Sequence, residues 1–146
     1  TFESYANATT KEVFGSELDD ALHLSATELR TTLFLSNKSG KYTTAPLPIE
    51  AQFAPVYAIS VLDFDNDGNE DILLAGNHHF PKIRLGQMDA NFGTLLKGNG
   101  KGEFQYITQA ESGFRLTGDV RNILKINNFL LFGINEKPIR TYRLNK

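Results

Sequence analysis

The chain has 146 residues, of which 40% are hydrophobic and 11% aromatic, so it is long and apolar enough to form one globular unit with a core. Its formal net charge of −2 gives no general attraction for nucleic acid, and its apolar runs are too short to span a membrane, so we expect neither a nucleic-acid partner nor membrane insertion. The lack of cysteine excludes disulfides, thiol catalysis and cysteine metal ligands.

Residues 1–30 are predicted to form a short helical segment ahead of a β domain. Residues 9–14, followed by Gly15, are typical of a short helix that ends at a glycine. Residues 16–22 predict a second helix, with Ser16 as its N-cap and Asp19 at the N3 position. The face that we expect these helices to bury comprises Val13, Phe14, Leu18, Leu22 and Leu24. Because the chain starts at Thr1 without Met, we interpret it as a mature or trimmed fragment.

From residue 31 onward the chain is predicted to be all-β and mainly antiparallel. Eleven Phe and five Tyr, with no Trp, favour strands over helices. Runs of apolar and β-branched residues alternate with turns rich in Gly and Asn, as expected of hairpins. These runs predict strands near residues 32–36, 41–45, 56–63, 71–76, 93–97, 103–108, 119–126, 129–134 and 139–144.

The strand region contains an internal repeat. An apolar strand, a turn and an aromatic residue recur at an offset of 62, as the turn of Asn37 and Gly40 and that of Asn99 and Gly102. Residues 72–77 match 129–134 at an offset of 57, so five residues are expected to be missing from the second copy, in its loop. A period near 60 with four strands per unit favours propeller blades.

We therefore expect a partial β-propeller of about two blades with a short helical N-terminal segment. Residues 56–108 would form one four-stranded blade, and residues 31–45 and 119–146 would form incomplete flanking blades. Because the unpaired edges of such sheets favour pairing with another chain, we expect either that the natural protein is longer or that this fragment self-associates. Basic residues at the last edge strand would oppose that pairing, and we prefer this interpretation to nucleic-acid binding. They are Lys137, Arg140, Arg143 and Lys146.

The loop between the third and fourth predicted strands has the pattern of a calcium site. Aspartates occupy its positions one, three, five and nine, and Gly68 at position six allows a sharp reversal with a positive φ. Hard cations such as Ca²⁺ bind six to eight oxygens, and carboxylates at alternate positions supply them. An EF-hand would need a Glu at position twelve, where Leu74 stands, and helices on both sides, where strands are predicted. The predicted ligands are Asp63, Asp65, Asp67 and Asp71, with the Asn69 backbone carbonyl.

The run from Asp63 to Leu73 resembles the calcium loop of the FG-GAP repeats in integrin-α β-propellers and of the related VCBS-type repeats. Residues 51–56, 76–77 and 86–93 look like the C-terminal part of large Bacteroidetes-type extracellular proteins with ASPIC/UnbV-like regions. The resemblance implies that the ion ties two strands of one blade together. It also implies an exported protein at the cell surface, in the periplasm or secreted.

A second group of residues is a candidate for ligand binding. His78 and His79 follow a strand, but adjacent side chains of an extended chain point to opposite faces, which disfavours a shared metal. The loop of residues 78–92 also carries Arg84 and Asp89, and loops on rigid scaffolds often bind ligands.

The function that we predict is binding or adhesion at a cell surface, with a glycan or protein ligand and with Ca²⁺ as cofactor. The alternative is a structural, calcium-stabilised segment of a larger protein whose active part lies upstream. We do not expect an enzyme, because the sequence has no HExxH, GxSxG or phosphate-binding loop, although a hydrolase that uses paired carboxylates stays open.

Overall fold

The computed structural model describes residues 1–144, so Asn145 and Lys146 of the last predicted blade lie outside the described residues. Its helices are short, at Phe2–Asn7 (α1), Thr10–Phe14 (α2) and Gln109–Ser112 (α3), with 3-10 turns at Gly15–Leu18, Ile49–Gln52 and Ile83–Leu85. The strands are Thr32–Ser36 (β1), Tyr42–Pro46 (β2), Val56–Leu62 (β3), Asp71–Gly76 (β4), Thr94–Gly98 (β5), Phe104–Ile107 (β6), Val120–Ile126 (β7), Phe129–Ile134 (β8) and Arg140–Arg143 (β9). Each lies within one residue of its predicted position. No helix in this part of the chain is long and apolar enough to cross a lipid bilayer.

The strands form three antiparallel sheets, which confirms the all-β class. The first sheet is the hairpin β1–β2, the second has the order β3-β4-β5-β6, and the third has the order β7-β8-β9. The second sheet coincides with the unit predicted at residues 56–108, and β9 is an edge strand. The three sheets do not close on one another, so the propeller itself stays a prediction.

The repeated turns have the same hydrogen bonds in both copies, which confirms the offset of 62 for these hairpins. The side-chain oxygen of Asn37 accepts from the Ser39 and Lys41 amides at 2.9 and 3.0 Å. The side-chain oxygen of Asn99 accepts from the amides of Lys101 and Glu103 at 2.9 and 3.3 Å. The glycines of the two turns have left-handed backbones, with φ of 75° and 86°. The hairpin β1–β2 therefore corresponds to β5–β6.

The hairpins β3–β4 and β7–β8 also correspond, but with a different alignment from the predicted one. Each has a β-bulge near the start of its first strand, between Val56 and Ala58 in one and between Val120 and Asn122 in the other. Aligning the bulges gives an offset of 64 for the first strands. The loop of the first hairpin has eight residues, 63–70, and that of the second has two, so six residues are missing and not five. The apolar residues of these strands are so alike that the sequence did not fix the register.

The core lies mainly between the second and third sheets. Because side chains alternate along a strand, one face of β3 carries Ala58 and Leu62, which pack in one buried cluster with Leu73 of β4 and with Val120 and Phe132 of the third sheet. The opposite face of the second sheet is covered by a smaller cluster, formed by Ile72, Leu74 and Leu96 with the connecting residues Leu47 and Ala51. The second sheet therefore carries buried residues on both faces, while Ile59 and Val61 on the β3 part of this opposite face are exposed.

The predicted buried face of the N-terminal segment is wrong. Leu22 and Leu24 are 84% and 85% exposed, Phe14 is 51% exposed, Val13 is 40% exposed, and Leu18 is only partly buried. The second helix is also wrong, because only a 3-10 turn forms at Gly15–Leu18, with Phe14 and not Ser16 as its N-cap and with Asp19 as its C-cap residue. Helices of five or six residues are marginal without packing, and this segment buries no apolar face.

Candidate metal centre

The acidic loop of residues 63–70 connects β3 to β4, so strands flank it on both sides as predicted. Asn66 and Gly68 have left-handed backbones, with φ of 60° and 87°, and these reversals fold the loop tightly. The carboxylate of Asp63 accepts hydrogen bonds from the backbone amides of Asp67 and Gly68 at 3.1 and 3.0 Å. The loop therefore holds its first aspartate toward its own centre.

Three of the predicted ligands come together. Asp63, Asp65 and Asp71 each offer one carboxylate oxygen, and these oxygens lie within 4.8 Å of one another. Carboxylate oxygens are the donors that hard divalent cations such as Ca²⁺ and Mg²⁺ prefer. This group could hold a metal ion, and its donor set suits a hard one.

Asp71 is the anchor of the group, since it is fully buried. One of its oxygens accepts from the Phe64 amide at 2.9 Å, and the other accepts from the Gly98 amide at 2.8 Å. A β-carbon built on Gly98 would lie 2.1 Å from the Glu70 carbonyl oxygen, so only glycine lets β5 approach the loop this closely. Asp71 thus ties the loop to the neighbouring strand.

Lys97 is a member of the site that the sequence analysis missed. Its ammonium group on β5 contacts the carboxylate of Asp65 and lies 2.9 Å from an oxygen of Asp67. Lys97 and the Asn69 amide, which donates at 2.8 Å, lower the pKa of Asp67, and the two carboxylates raise the pKa of Lys97. A cation that enters the site must share Asp65 with this ammonium group. Only the pairing of β5 with β4 brings Lys97 here, and no local motif indicates it.

Asp67 and Asn69 are placed differently from the other three predicted ligands. Asp67 lies outside the group of converging oxygens and faces Lys97. Asn69 donates its amide to Asp67, and its side-chain oxygen lies over Gly100, where a β-carbon would come within 2.5 Å. Their roles as ligands stay predictions.

A buried polar network lies at the other end of β4. Asn77 has a left-handed backbone, with φ of 80°, and is 1% exposed. Its side-chain nitrogen donates to the carbonyls of Asn91 and Gly118 at 2.8 and 3.1 Å, and its oxygen accepts from the Asn91 amide at 2.9 Å. This asparagine joins the end of β4 to the connection before β5 and to the start of the third sheet.

The two histidines follow Asn77 directly and lie beside this network. The backbone of His78 pairs with Met88, and the buried Nδ1 of His78 has no hydrogen-bond partner among the described residues. The amide of His79 donates to the Asp119 carboxylate at 2.9 Å, and its Nδ1 lies 3.4 Å from the same oxygen. Asp119 is 1% exposed and also contacts Arg121 at 3.3 Å. The sequence analysis did not predict Asp119 or Arg121 as neighbours of the histidines.

Arg84 and Asp89, the other two residues predicted to bind a ligand, lie on the exposed part of the connection between β4 and β5. Arg84 is in the 3-10 turn Ile83–Leu85, and neither side chain takes part in an ion pair within residues 1–144. The structure therefore places the histidines at the base of this connection and the charged pair on its surface.

Comparisons of this chain with protein-family models, with curated proteins and with solved structures found no match. The resemblance to FG-GAP and VCBS-type repeats thus stays a prediction that rests on the residues of the acidic loop.

Proposed function

We propose that this chain is a calcium-binding segment of a β-propeller from an exported bacterial protein, and that it acts in binding or adhesion at the cell surface. The observation that carries the proposal is the convergence of oxygens from Asp63 and Asp65 of the acidic loop with those of Asp71 at the start of β4. Extracellular calcium modules bind their ion with Kd of about 10⁻⁴–10⁻³ M. That affinity suits a compartment with millimolar calcium, such as the cell surface, the periplasm or the medium.

In this proposal Ca²⁺ stabilises the fold and takes no part in chemistry. The nine residues from Asp63 to Asp71 carry several carboxylates, and Lys97 neutralises only part of their charge. A divalent ion would remove the remaining repulsion and would link β3 to β4 through Asp63 and Asp71. Because Asp71 also accepts from the amide of Gly98, the ion would reinforce the contact with β5 as well.

The protein or glycan ligand would bind at the other end of the second sheet, on the connection that carries Arg84 and Asp89. The buried network around Asn77 supports the base of this connection. The six residues of β4 separate the two ends, which corresponds to about 20 Å at about 3.3 Å per residue. An ion in the acidic loop would therefore influence ligand binding only through the stability of the fold.

A glycan array and a protein pull-down with the purified chain test this proposal, at a temperature well below the melting transition. We expect binding that Arg84→Ala or Asp89→Ala weakens at least severalfold. Asp65→Ala should preserve binding while the fold persists and abolish it at a temperature where only the calcium-bound form is folded. Binding that neither Arg84→Ala nor Asp89→Ala weakens would contradict the proposed ligand surface.

The alternative is a structural segment without a ligand of its own. The observation that favours it is the burial of His78 Nδ1 and Asp119, which places two of the polar groups near the proposed ligand surface out of reach of solvent. Calcium-dependent melting combined with no ligand in either screen would support this alternative. Catalysis would require turnover of a glycan substrate that a single carboxylate substitution outside the acidic loop abolishes, and we propose that none occurs.

The propeller part of the proposal is supported by the repeat. The second sheet has four strands, the hairpin β1–β2 repeats β5–β6, and the hairpin β7–β8 repeats β3–β4. The first sheet would then be the outer pair of one blade, and the third sheet would be the inner three strands of another. A cryo-EM or crystal structure of the parent protein with all its blades would test this arrangement.

A further inference from the structure

One closed surface loop lies within the connection between β4 and β5. The backbones of His78 and Met88 pair with each other, with the His78 amide donating at 2.8 Å and the Met88 amide donating at 3.0 Å. The nine residues between them, 79–87, therefore form a loop whose two ends are held together. Gly86, with φ of 68°, follows the 3-10 turn Ile83–Leu85 and turns the chain back toward the base of the loop.

This loop surrounds an open concavity of about 330 Å³, and all of the lining residues lie between His79 and Gln87. Ligand sites occupy about 300–1,000 Å³, so the concavity suits one small chemical group and not a folded partner. Because this single loop supplies every wall, the concavity is complete without any other part of the chain.

His79 is a polar group of the concavity that the rest of the fold holds in place. Its side chain is 21% exposed, and its Nδ1 lies 3.4 Å from the buried carboxylate of Asp119, which also contacts Arg121. A carboxylate beside Nδ1 favours the proton of a neutral imidazole on that nitrogen, which leaves Nε2 as an acceptor. Nε2 has no hydrogen-bond partner within residues 1–144 and is not buried, so it can accept from a hydroxyl group of a ligand.

Three exposed side chains complete the chemistry of the concavity. Lys82 forms no ion pair in the described part of the chain, so its ammonium group is free to contact an anion. Phe80 is 64% exposed, and the negative face of an aromatic ring attracts polarised C–H groups. Gln87 adds a side-chain amide, which both donates and accepts. A ligand that matches all of these groups has one anionic group, one apolar face and several hydroxyls.

We propose that the loop of residues 79–87 binds a carboxylate-bearing sugar of a glycan, such as a uronic acid. This inference rests on the proposed function and names the class of ligand that its surface takes. The carboxylate contacts Lys82, the hydroxyls bond to His79 and Gln87, and the C–H face of the sugar ring lies on Phe80. An inorganic anion or a simple carboxylate would use only the ammonium group and would leave the other three side chains without a role.

The test titrates the whole ¹⁵N-labelled chain, in about 1 mM calcium, with pairs of small probes followed by NMR. The probes are the methyl glycosides of glucuronic, galacturonic and mannuronic acid, each beside the neutral glycoside that has CH₂OH in place of the carboxylate, and acetate as the carboxylate alone. At least one acidic glycoside should shift the amide signals of residues 79–87. It should bind at least fivefold more tightly than its neutral partner and than acetate.

Substitutions of Lys82 test the ionic contact, and the residue is exposed, so melting curves should stay close to wild type. Lys82→Met should remove the preference for the acidic glycoside, whereas Lys82→Arg should retain most of it because the positive charge remains. Raised salt should weaken binding of the acidic glycoside, since an exposed ion pair is screened. Lys38→Met changes an exposed lysine of the turn between β1 and β2, and this matched control should bind as the wild type does.

Each other outcome overturns the inference in a recognisable way. Equal affinity for an acidic glycoside and its neutral partner, or for an acidic glycoside and acetate, would exclude recognition of an acidic sugar, and so would shifts confined to residues outside 79–87. If none of the glycosides binds while a neutral glycan or a protein binds through Arg84 or Asp89, this inference fails and the proposed function stands. If neither these probes nor the glycan array and pull-down yield a ligand, both fail and the structural alternative holds.

Discussion

The guanidinium group of Arg121 lies over the ring of Tyr57, with 4.1 Å between its central carbon and the ring centroid. Each residue occupies the bulge of its own strand, Tyr57 in β3 and Arg121 in β7. The two bulges are equivalent positions of the repeat, so this contact between the second and third sheets joins the bulges of two repeat units. Arg121 also donates to the carbonyl of Asn77 at 3.0 Å, which connects the contact to the buried polar network.

A double-mutant cycle should detect this contact. With Tyr57→Leu, Arg121→Met and the double variant, we expect a coupling free energy of about 0.5–2 kcal/mol, because the pair is partly desolvated. Urea unfolding measures each free energy of unfolding. Arg121→Met alone should lower the free energy of unfolding by more than the coupling free energy, since it also loses hydrogen bonds. Additive effects of the two substitutions would contradict a direct interaction.

The strands could be predicted from the sequence because their signals are local. Apolar runs bounded by Asn and Gly turns located all nine, and the turns of Asn37 and Asn99 repeat the same positions of Asn and Gly. The alignment of the hairpin β7–β8 with β3–β4 could not be predicted, since nothing in the sequence marks Tyr57 or Arg121 as a bulge residue. The first predicted helix formed, as α2, and ends at Gly15. The second helix did not form and the predicted buried face is exposed, because amphipathic spacing says nothing about whether a partner surface exists.

The residues of the candidate metal centre were also predictable only where their signal is local. The local pattern of residues 63–71, with Gly68 at its turn, indicated the convergence of Asp63, Asp65 and Asp71. Lys97 and Asp119 are distant in sequence from the residues that they contact, so only the pairing and stacking of the sheets brings them in. Long-range contacts of this kind carry no local signal.

Calcium should raise the melting temperature, and the acidic loop should be responsible. At ten times Kd a bound ion adds about 1.4 kcal/mol by mass action. For a chain of this size that corresponds to a rise of about 3–6 °C. Differential scanning calorimetry in 10 mM calcium and in chelator measures the shift, and Asp65→Asn should abolish it.

Asp67→Asn is the matched control for that experiment, because Asp67 belongs to the same loop but lies outside the converging group. It should retain most of the calcium-dependent shift. If the Asp67 variant loses the calcium-dependent rise in melting temperature and the Asp65 variant keeps it, the ion does not bind at the converging oxygens.

Lys97→Met should alter both titration and ion binding. The ammonium group lowers the pKa of Asp67 from its ordinary value of 3.8, so its removal should raise the pKa of Asp67. A lowered pKa stabilises the fold at pH above the ordinary value, and this contribution is lost as the pH falls through the lowered value. The variant should therefore lose less stability on acidification to pH 2. It should also bind calcium more tightly, because the ion no longer competes with the ammonium group for Asp65.

Carboxyl-detected NMR titration of Asp67 and isothermal titration calorimetry with calcium measure the two effects, and Lys101→Met, an exposed lysine of the next turn, is the control. An unchanged Asp67 pKa in the Lys97 variant would show that the pair does not persist in solution.

Asp71→Ala should destabilise the fold even in chelator. It leaves the amides of Phe64 and Gly98 without their acceptors, and each buried unsatisfied donor costs about 1–3 kcal/mol, so we expect a loss of about 2–5 kcal/mol. Asp71→Asn retains one acceptor oxygen and should lose less. Urea unfolding in chelator separates this role from ion binding. If the alanine variant and the wild type are equally stable in chelator, Asp71 contributes to stability only by binding the ion.

Asn77 combines a buried side chain with a left-handed backbone, and two substitutions separate these contributions. Asn77→Gly keeps the φ of 80° without strain and loses the hydrogen bonds to Asn91 and Gly118, so it should cost about 2–4 kcal/mol. Asn77→Ala loses the same bonds and adds backbone strain, for a further cost of about 1–2 kcal/mol. Urea unfolding gives both values, and hydrogen exchange of the Asn91 amide should accelerate in both variants. If glycine at this position proves as stable as asparagine, the polar network does not hold the third sheet to the second.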